Sequence, residues 1–140
     1  MIGDQEFHDM FKIWSGSKTS KEPIRYILRK IHKHLDASNE INIDNTEVHI
    51  EHIMPEDNSI WAMDADTHEE YLWRLGNLTL LSGTFNREIS NRIFEDKKVR
   101  YAESKIEPNP DLARCSSWNA TTIEKRQEKF AMYALTIWKK

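Results

Sequence analysis

The 140-residue sequence has little cysteine, glycine or proline and contains no long apolar run. Cys115 is the sole cysteine and has no internal disulfide partner, which favours a reducing, intracellular setting. No stretch approaches the roughly 18 apolar residues that a membrane helix needs. The N-terminus also lacks the basic and apolar segments of a secretion signal. We therefore expect a cytoplasmic protein with no membrane segment.

Several short motifs with well-understood chemistry are absent from the sequence. There is no CxxC pair, which excludes a zinc finger or zinc knuckle, and no HExxH motif of zinc proteases. There is no GxxxxGK[ST] loop for nucleotide phosphates and no GxSxG nucleophile turn of serine hydrolases. Any catalytic chemistry must therefore use other residues.

The composition is that of one globular domain, with 39% hydrophobic and 31% charged residues and a mean hydropathy of −0.73. The net charge of −3 hides a strong asymmetry, because residues 36–73 hold eleven acids and no Lys or Arg, whereas both flanks are basic. Such a segment repels a polyanion unless some of its acids hold a cation. For most of these acids a solvated loop is explanation enough, but Glu51 stands in an apolar strand pattern.

Periodicity predicts an α+β domain in which a small ββα finger, a β-hairpin plus a helix, is embedded in a mainly helical fold. Residues 1–23 are interpreted as an N-terminal segment and joint, and residues 24–140 as the domain. We expect His32 and His34 on the surface and Trp118 and Trp138 in the core. The predicted elements are a helix over 24–35, a strand over 48–53 ended by Pro55, a short helix over 68–75, a strand over 77–82, a helix from Asn86, an irregular connection over 107–120 and a last helix with a Thr121–Glu124 capping box.

The stretch VHIEHIMPED, from Val48 to Asp57, concentrates polar residues that a strand does not need for folding. It is either a solvated strand end rich in titratable groups or half of an active site. Glu51 and His52 alone could cap a turn, and Asn77 and Asn86 alone are ordinary turn and N-cap residues. Taken in order around a β, β, α pattern, they favour a site.

These motifs resemble the HNH, or ββα-metal (His-Me finger), endonucleases. More narrowly, "EHIMP", a following Trp, "LGNLTLLS" and the later Asn, Phe, Lys and Trp residues resemble the C-terminal nuclease domain of GmrSD-type restriction enzymes, over about residues 24–138. The resemblance implies a metal-dependent DNA endonuclease of bacterial or archaeal defence against modified phage DNA. It also implies a separate nucleotide-using, DNA-sensing domain or subunit as partner.

The residue types suit phosphodiester hydrolysis. His52, with an ordinary pKa of about 6.5, is the expected general base. Glu51 and Asn86 offer hard oxygen ligands to one divalent ion, expected to be Mg²⁺. The commonest acid in HNH sites is Asp, and Glu is one methylene longer, so Mn²⁺ is the alternative ion. Asn77 is assigned to the catalytic set as a brace of the loop, and His49 as a partner of Glu51, a further ligand or a surface residue.

The basic residues after Asn86 are the candidates for DNA-backbone binding: Arg87, Arg92, Lys97 and Lys98, with Arg100 nearby. A solvated helix face is the ordinary alternative. The competing function is a catalytically silent nuclease-fold module that binds DNA or protein. RNA is a weaker candidate substrate, since no aromatic RNA-binding sheet is indicated.

Overall fold

The computed structural model describes residues 3–36, 38, 40–45 and 47–138. The architecture is α+β, as predicted, with a two-stranded sheet set among helices. None of the helices in these ranges is long and apolar enough to cross a membrane. The elements are α1 Asp4–Phe11, α2 Lys21–Leu35, β1 Val48–His52, α3 Ala65–Tyr71, a 3₁₀ turn Leu75–Asn77, β2 Leu78–Ser82, α4 Gly83–Ile89, α5 Phe94–Glu103, α6 Asn109–Leu112 and α7 Ala120–Trp138.

Strands β1 and β2 pair antiparallel, from Val48 opposite Ser82 to His52 opposite Leu78. Helix α4 follows β2 without a loop, and the Ser82 hydroxyl caps it by accepting from Phe85 N at 3.4 Å. This is the ββα finger that the sequence predicts. Strand β2 is buried over four of its five residues, whereas α4 is buried only at Gly83 and Ile89, so the finger has a buried strand and a partly exposed helix.

The two faces of the hairpin pack into two different hydrophobic clusters, because side chains alternate along a strand. One face of β2 joins a cluster with α2 and α7, and the opposite face joins a cluster with α4, α5 and α6. The first cluster includes Ile24, Leu28, Ile31, Val48, Leu78, Leu80 and Phe130. The second includes Ile53, Met54, Leu81, Ile89, Phe94, Tyr101, Leu112, Trp118 and Ile123.

Helix α7 contacts both the N-terminal part of the chain and the 3₁₀ turn before β2. Gln127, fully buried, donates through Nε2 to the carbonyls of Phe11 and Trp14 and accepts through Oε1 from Gly76 N. A Cβ at Gly76 would lie 2.2 Å from the Ile123 carbonyl oxygen, so this close approach requires glycine. The turn that carries Asn77 is thereby fixed against α7.

Some element boundaries differ from the prediction. Helix α2 begins three residues earlier, at Lys21, because Pro23 is tolerated in a first turn. The cap of α7 is Asn119, whose Oδ1 accepts from Thr122 N, and not Thr121. Glu124 instead accepts a hydrogen bond from the Tyr71 hydroxyl. The predicted irregular connection contains the short helix α6.

Three further expectations are corrected. The helix predicted from Asn86 is two helices, α4 and α5, interrupted between Ser90 and Ile93. The short helix before Gly76 lies earlier, at α3, with Asp64 as its N-cap. His32 is buried rather than on the surface, since its Nδ1 accepts from Glu107 N at 2.9 Å.

The two tryptophans expected in the core differ from each other. Trp118 is buried there, but Trp138 is only partly buried and packs against the ring of Tyr26. Its position near the end of α7 leaves part of its ring in contact with solvent.

Candidate active site

The polar residues of β1 point to opposite faces of the hairpin. His49 and Glu51 face α4 and α5, where they meet Gly83 and Lys97 respectively. His52 faces the other side and lies edge-on to Trp73, with ring centroids 4.4 Å apart. The strand therefore separates Glu51 from its neighbour His52, and the structure does not place their side chains around one common position.

His52 is largely withdrawn from solvent, with 13% of its side chain exposed. Its Nδ1 lies 3.9 Å from a carboxylate oxygen of Glu56, and its Nε2 is buried without a hydrogen-bond partner in the described part of the chain. Burial lowers the pKa of His52 to about 4, with smaller contributions from the positive charges of Lys97 and Lys21. The ring is therefore neutral at pH 7, the state in which an imidazole accepts a proton.

Asn77 holds the backbone that follows His52. Its Oδ1 accepts from Met54 N at 2.8 Å and its Nδ2 donates to Met54 O at 3.0 Å. The same amide accepts from Trp118 Nε1 and donates to Leu72 O, so all its usual hydrogen-bonding positions are used. Because Asn77 is fully buried, it holds this loop from the interior and has no access to a substrate.

Glu51 is buried, 2% exposed, and both of its carboxylate oxygens are engaged. Oε1 accepts from Lys97 Nζ at 3.0 Å, and Oε2 accepts from the Tyr101 hydroxyl. Burial raises the pKa of Glu51 and lowers that of Lys97, while their attraction opposes both shifts. Burial, followed by the Glu51 charge, raises the pKa of Tyr101 well above its usual value, which keeps this hydroxyl protonated as a donor.

This arrangement does not fit the predicted divalent ion at Glu51. The Lys97 ammonium lies against the oxygen that would bind the ion, and two like charges cannot share that position. The described residues contain no group of three or more His, Cys, Asp or Glu able to hold a metal. Asn86 lies in the middle of α4 rather than at its start, and among the described residues its side chain has no hydrogen bond to Glu51 or His52.

His49 lies beside the first turn of α4. A Cβ at Gly83 would lie 3.0 Å from His49 Nε2 and 3.2 Å from an Arg87 guanidinium nitrogen. Glycine at this position therefore lets the imidazole and the guanidinium approach the same short stretch of helix. The structure brings His49 of β1 close to Arg87 of α4, the helix that also carries Asn86. It shows no hydrogen bond between His49 and Glu51 in the described part of the chain.

The basic residues predicted to bind DNA fall into two groups. Lys97 is fully buried, which corrects its assignment, because an interior ammonium cannot reach a DNA backbone. Arg87 and Arg92 are exposed and Lys98 is partly exposed. Arg92 lies 4.0 Å from Asp96 and Lys98 lies 3.5 Å from Glu95, whereas Arg87 has no ion pair within the described residues.

Two neighbours of the site were not predicted. Trp73 packs against His52, and His68 Nε2 lies 2.8 Å from the carbonyl oxygen of Pro55, just beyond the braced loop. No local signal marks Trp73, since its partner is 21 residues away. The burial of Lys97 does have a signal, because Phe94, Lys97 and Tyr101 share one face of α5 at helical spacing.

A family model of the C-terminal domain of GmrSD restriction endonucleases matches residues 1–132. The chain belongs to this family. Among curated proteins no sequence match was found. Membership of the GmrSD C-terminal family points to the nuclease part of a restriction system, to DNA as substrate and, as for nucleases in general, to a divalent metal ion. The match includes the N-terminal segment before residue 24 as well as the finger.

Proposed function

We propose that this chain is an HNH-type DNA endonuclease, the cutting part of a restriction or anti-phage defence system in a bacterial or archaeal cytoplasm. The observation that carries the proposal is His52: a neutral imidazole with an unpartnered nitrogen, at the end of a strand whose following backbone is fixed on both sides. The family match supports the same reading.

His52 is the proposed general base. A ring nitrogen takes a proton from water as the water oxygen bonds to phosphorus, and the bond from phosphorus to the 3′ oxygen breaks; the leaving oxygen takes its proton from solvent. Because Nε2 is buried, an attacking water reaches it only after a neighbouring side chain shifts. Asn77 contributes by positioning, since it holds the residues next to His52 and touches no reacting atom.

The proposed cofactor is one divalent ion, Mg²⁺ or Mn²⁺. Since Glu51 is engaged by Lys97, no catalytic step is assigned to an ion at that carboxylate. Asn86 remains the proposed metal contact from the predicted pair. The exposed side of α4 and α5, with Arg87, is the proposed DNA-backbone surface, and a nucleotide-using, DNA-sensing partner is proposed from the family.

One observation favours the competing function of a catalytically silent DNA-binding or protein-interaction module. The acid expected to hold the ion is neutralised by a buried lysine, and the described residues form no acidic or histidine cluster for a metal. Such a module would keep the fold and the basic surface and lose cleavage.

The test is cleavage of supercoiled plasmid with Mg²⁺, Mn²⁺ or EDTA by the wild type and by the His52→Ala, Asn86→Ala and His34→Ala variants. We expect nicking with metal, none with EDTA, and a loss of roughly 100-fold or more in His52→Ala. His34 is exposed and serves as the matched control, with wild-type cleavage expected. Cleavage that persists in His52→Ala overturns the mechanism. Metal-independent DNA binding without cleavage by the wild type supports the silent module.

A further inference from the structure

The Lys97 ammonium lies in a cradle of three oxygen atoms at the end of β1. Nζ is 3.0 Å from Glu51 Oε1, 2.9 Å from the carbonyl oxygen of His52 and 2.8 Å from that of Ile53. The lysine comes from α5, 45 residues after His52, and its side chain is fully buried. A carboxylate and two successive carbonyls directed at one point form a cation site built by the finger itself.

We propose that the Lys97 ammonium is the resident cation of this finger and that Glu51 and Lys97 together position His52, an inference that rests on His52 being the general base. Glu51 then serves the ammonium rather than a divalent ion. Lys97 and Glu51 are positioning residues, because neither can reach a substrate from the interior.

The contacts match the hydrogen-bonding capacity of an ammonium. Lysine in its charged form has three N–H donors, and three acceptors surround Nζ. The remaining oxygen of Glu51 accepts from Tyr101, so the carboxylate also has a partner at each oxygen. A buried ion pair is tolerated when such hydrogen bonds complete it. Each oxygen of Glu51 thus already has a donor, and the charge of the ammonium opposes a second cation beside it.

The Glu51–Lys97 pair acts on the backbone of His52, the proposed base. Lys97 fixes the carbonyls of His52 and Ile53, the Asn77 carbonyl accepts from Ile53 N at 2.9 Å, and the Asn77 side chain fixes Met54 N and O. The His52 carbonyl and the N–H and carbonyl groups of Ile53 and Met54 are five consecutive backbone groups, and Lys97 and Asn77 together form hydrogen bonds with all five. Removing the ammonium frees two of the five and lets the His52 peptide rotate.

The experiment separates the charge of Lys97 from its bulk. In a Cys115→Ser background, Lys97→Cys is unfolded, alkylated with 2-bromoethylamine, which restores an ammonium of nearly lysine length, and refolded. The matched control is the same variant alkylated with 1-bromopropane, which restores the length without the charge. The unmodified Cys115→Ser chain, carried through the same unfolding and refolding, is the reference.

Two quantities are measured: plasmid cleavage, separated into kcat and KM, and the imidazole resonances of His52 by NMR. We expect the aminoethylated protein to recover at least half of the reference kcat and a single set of His52 resonances. The propylated protein should show kcat lower by about 100-fold, because misplacement of a catalytic group by about 1 Å costs that much, with unchanged KM for DNA and multiple His52 resonances. Equal recovery by both, or recovery by neither, overturns the proposal.

Mn²⁺ binding to Glu51→Gln supplies the second test, with the metal alone as probe. If the variant binds Mn²⁺ as tightly as the wild type does, the result agrees with Glu51 pairing with Lys97. If the wild type binds Mn²⁺ and the variant does not, the proposal is overturned. The NMR readout does not depend on cleavage. If the wild type does not cut DNA, the proposed function fails, while the His52 resonances still decide whether Lys97 positions that residue.

Discussion

The burial of His52 has two opposite effects on its use as a general base. Burial keeps the ring neutral at physiological pH, so the proton acceptor is always available, but the same burial lowers its pKa to about 4 and makes it a weaker base. Catalysis by such a group requires that the substrate phosphate and water restore part of the lost basicity on binding. In the free protein, the shift has a consequence for stability that can be measured without any substrate.

We expect His52 to make the protein less stable in mild acid. Its folded-state pKa is below the ordinary value of 6.5, so the unfolded chain binds the extra proton first as the pH falls. Its contribution to stability is full above pH 6.5 and is lost towards pH 4. Between pH 7 and pH 5 the wild type should lose about 2 kcal/mol through this residue. Urea unfolding at several pH values measures the loss.

The matched variants for the acid-stability measurement are His52→Gln and His34→Gln. His52→Gln should flatten the pH dependence by that amount, whereas His34→Gln, at an exposed position, should keep the wild-type dependence. Equal pH dependence in the wild type and His52→Gln would mean that the imidazole is not withdrawn from solvent as the structure places it.

The end of β1 is the element on which the proposed chemistry depends, and its rigidity comes from outside the strand. The hairpin partner ends at Leu78, opposite His52, so the next residues have no ladder to join. Asn77, placed by the 3₁₀ turn immediately before β2, supplies their hydrogen bonds together with Lys97, which donates to the Ile53 carbonyl. Gln127 of α7 fixes this 3₁₀ turn by accepting a hydrogen bond from Gly76 N.

We expect Asn77→Ala to destabilise the protein by roughly 3–5 kcal/mol. The substitution leaves Met54 N and O and Trp118 Nε1 buried without partners, and each unsatisfied group costs roughly 1–3 kcal/mol, which local relaxation partly offsets. Urea unfolding checks this, with Asn91→Ala, an exposed asparagine, as control. A loss no larger than that of the control would show that the brace is dispensable.

The sequence predicted the elements whose pattern is local and missed what depends on distant partners. Strand β1, strand β2, α2 and α7 follow from periodicity, and the role of Asn77 in holding the proposed base stays a prediction. The alternation of β1 also placed His49 and Glu51 on one face. It could not show that this face is interior, because the partner of Glu51 is Lys97, 46 residues later.

The whole chain divides its charge in a way that constrains how DNA can approach. Residues 36–73 carry eleven acids without a Lys or Arg, and β1 lies within this segment. Lys97 neutralises one of these acids in the interior, Arg29 and Lys33 form ion pairs with Asp44, and the remaining acids repel a polyanion. The basic residues after β2 are therefore the side from which a phosphate backbone can reach the finger, and of the four predicted to bind DNA, Arg87 has no ion pair in the described ranges.

We expect Arg87→Gln to weaken DNA binding through one lost phosphate contact. The affinity should fall for every DNA sequence alike, and the slope of log K against log salt should become shallower by about 1, because one fewer counterion is released. Lys18→Gln is the control, since Lys18 is exposed in the turn before α2 and belongs to neither α4 nor α5. Fluorescence anisotropy on a short duplex, with EDTA to prevent cleavage and over a range of salt concentrations, gives both slopes. If Arg87→Gln and Lys18→Gln change the slope equally, the phosphate backbone does not lie along α4.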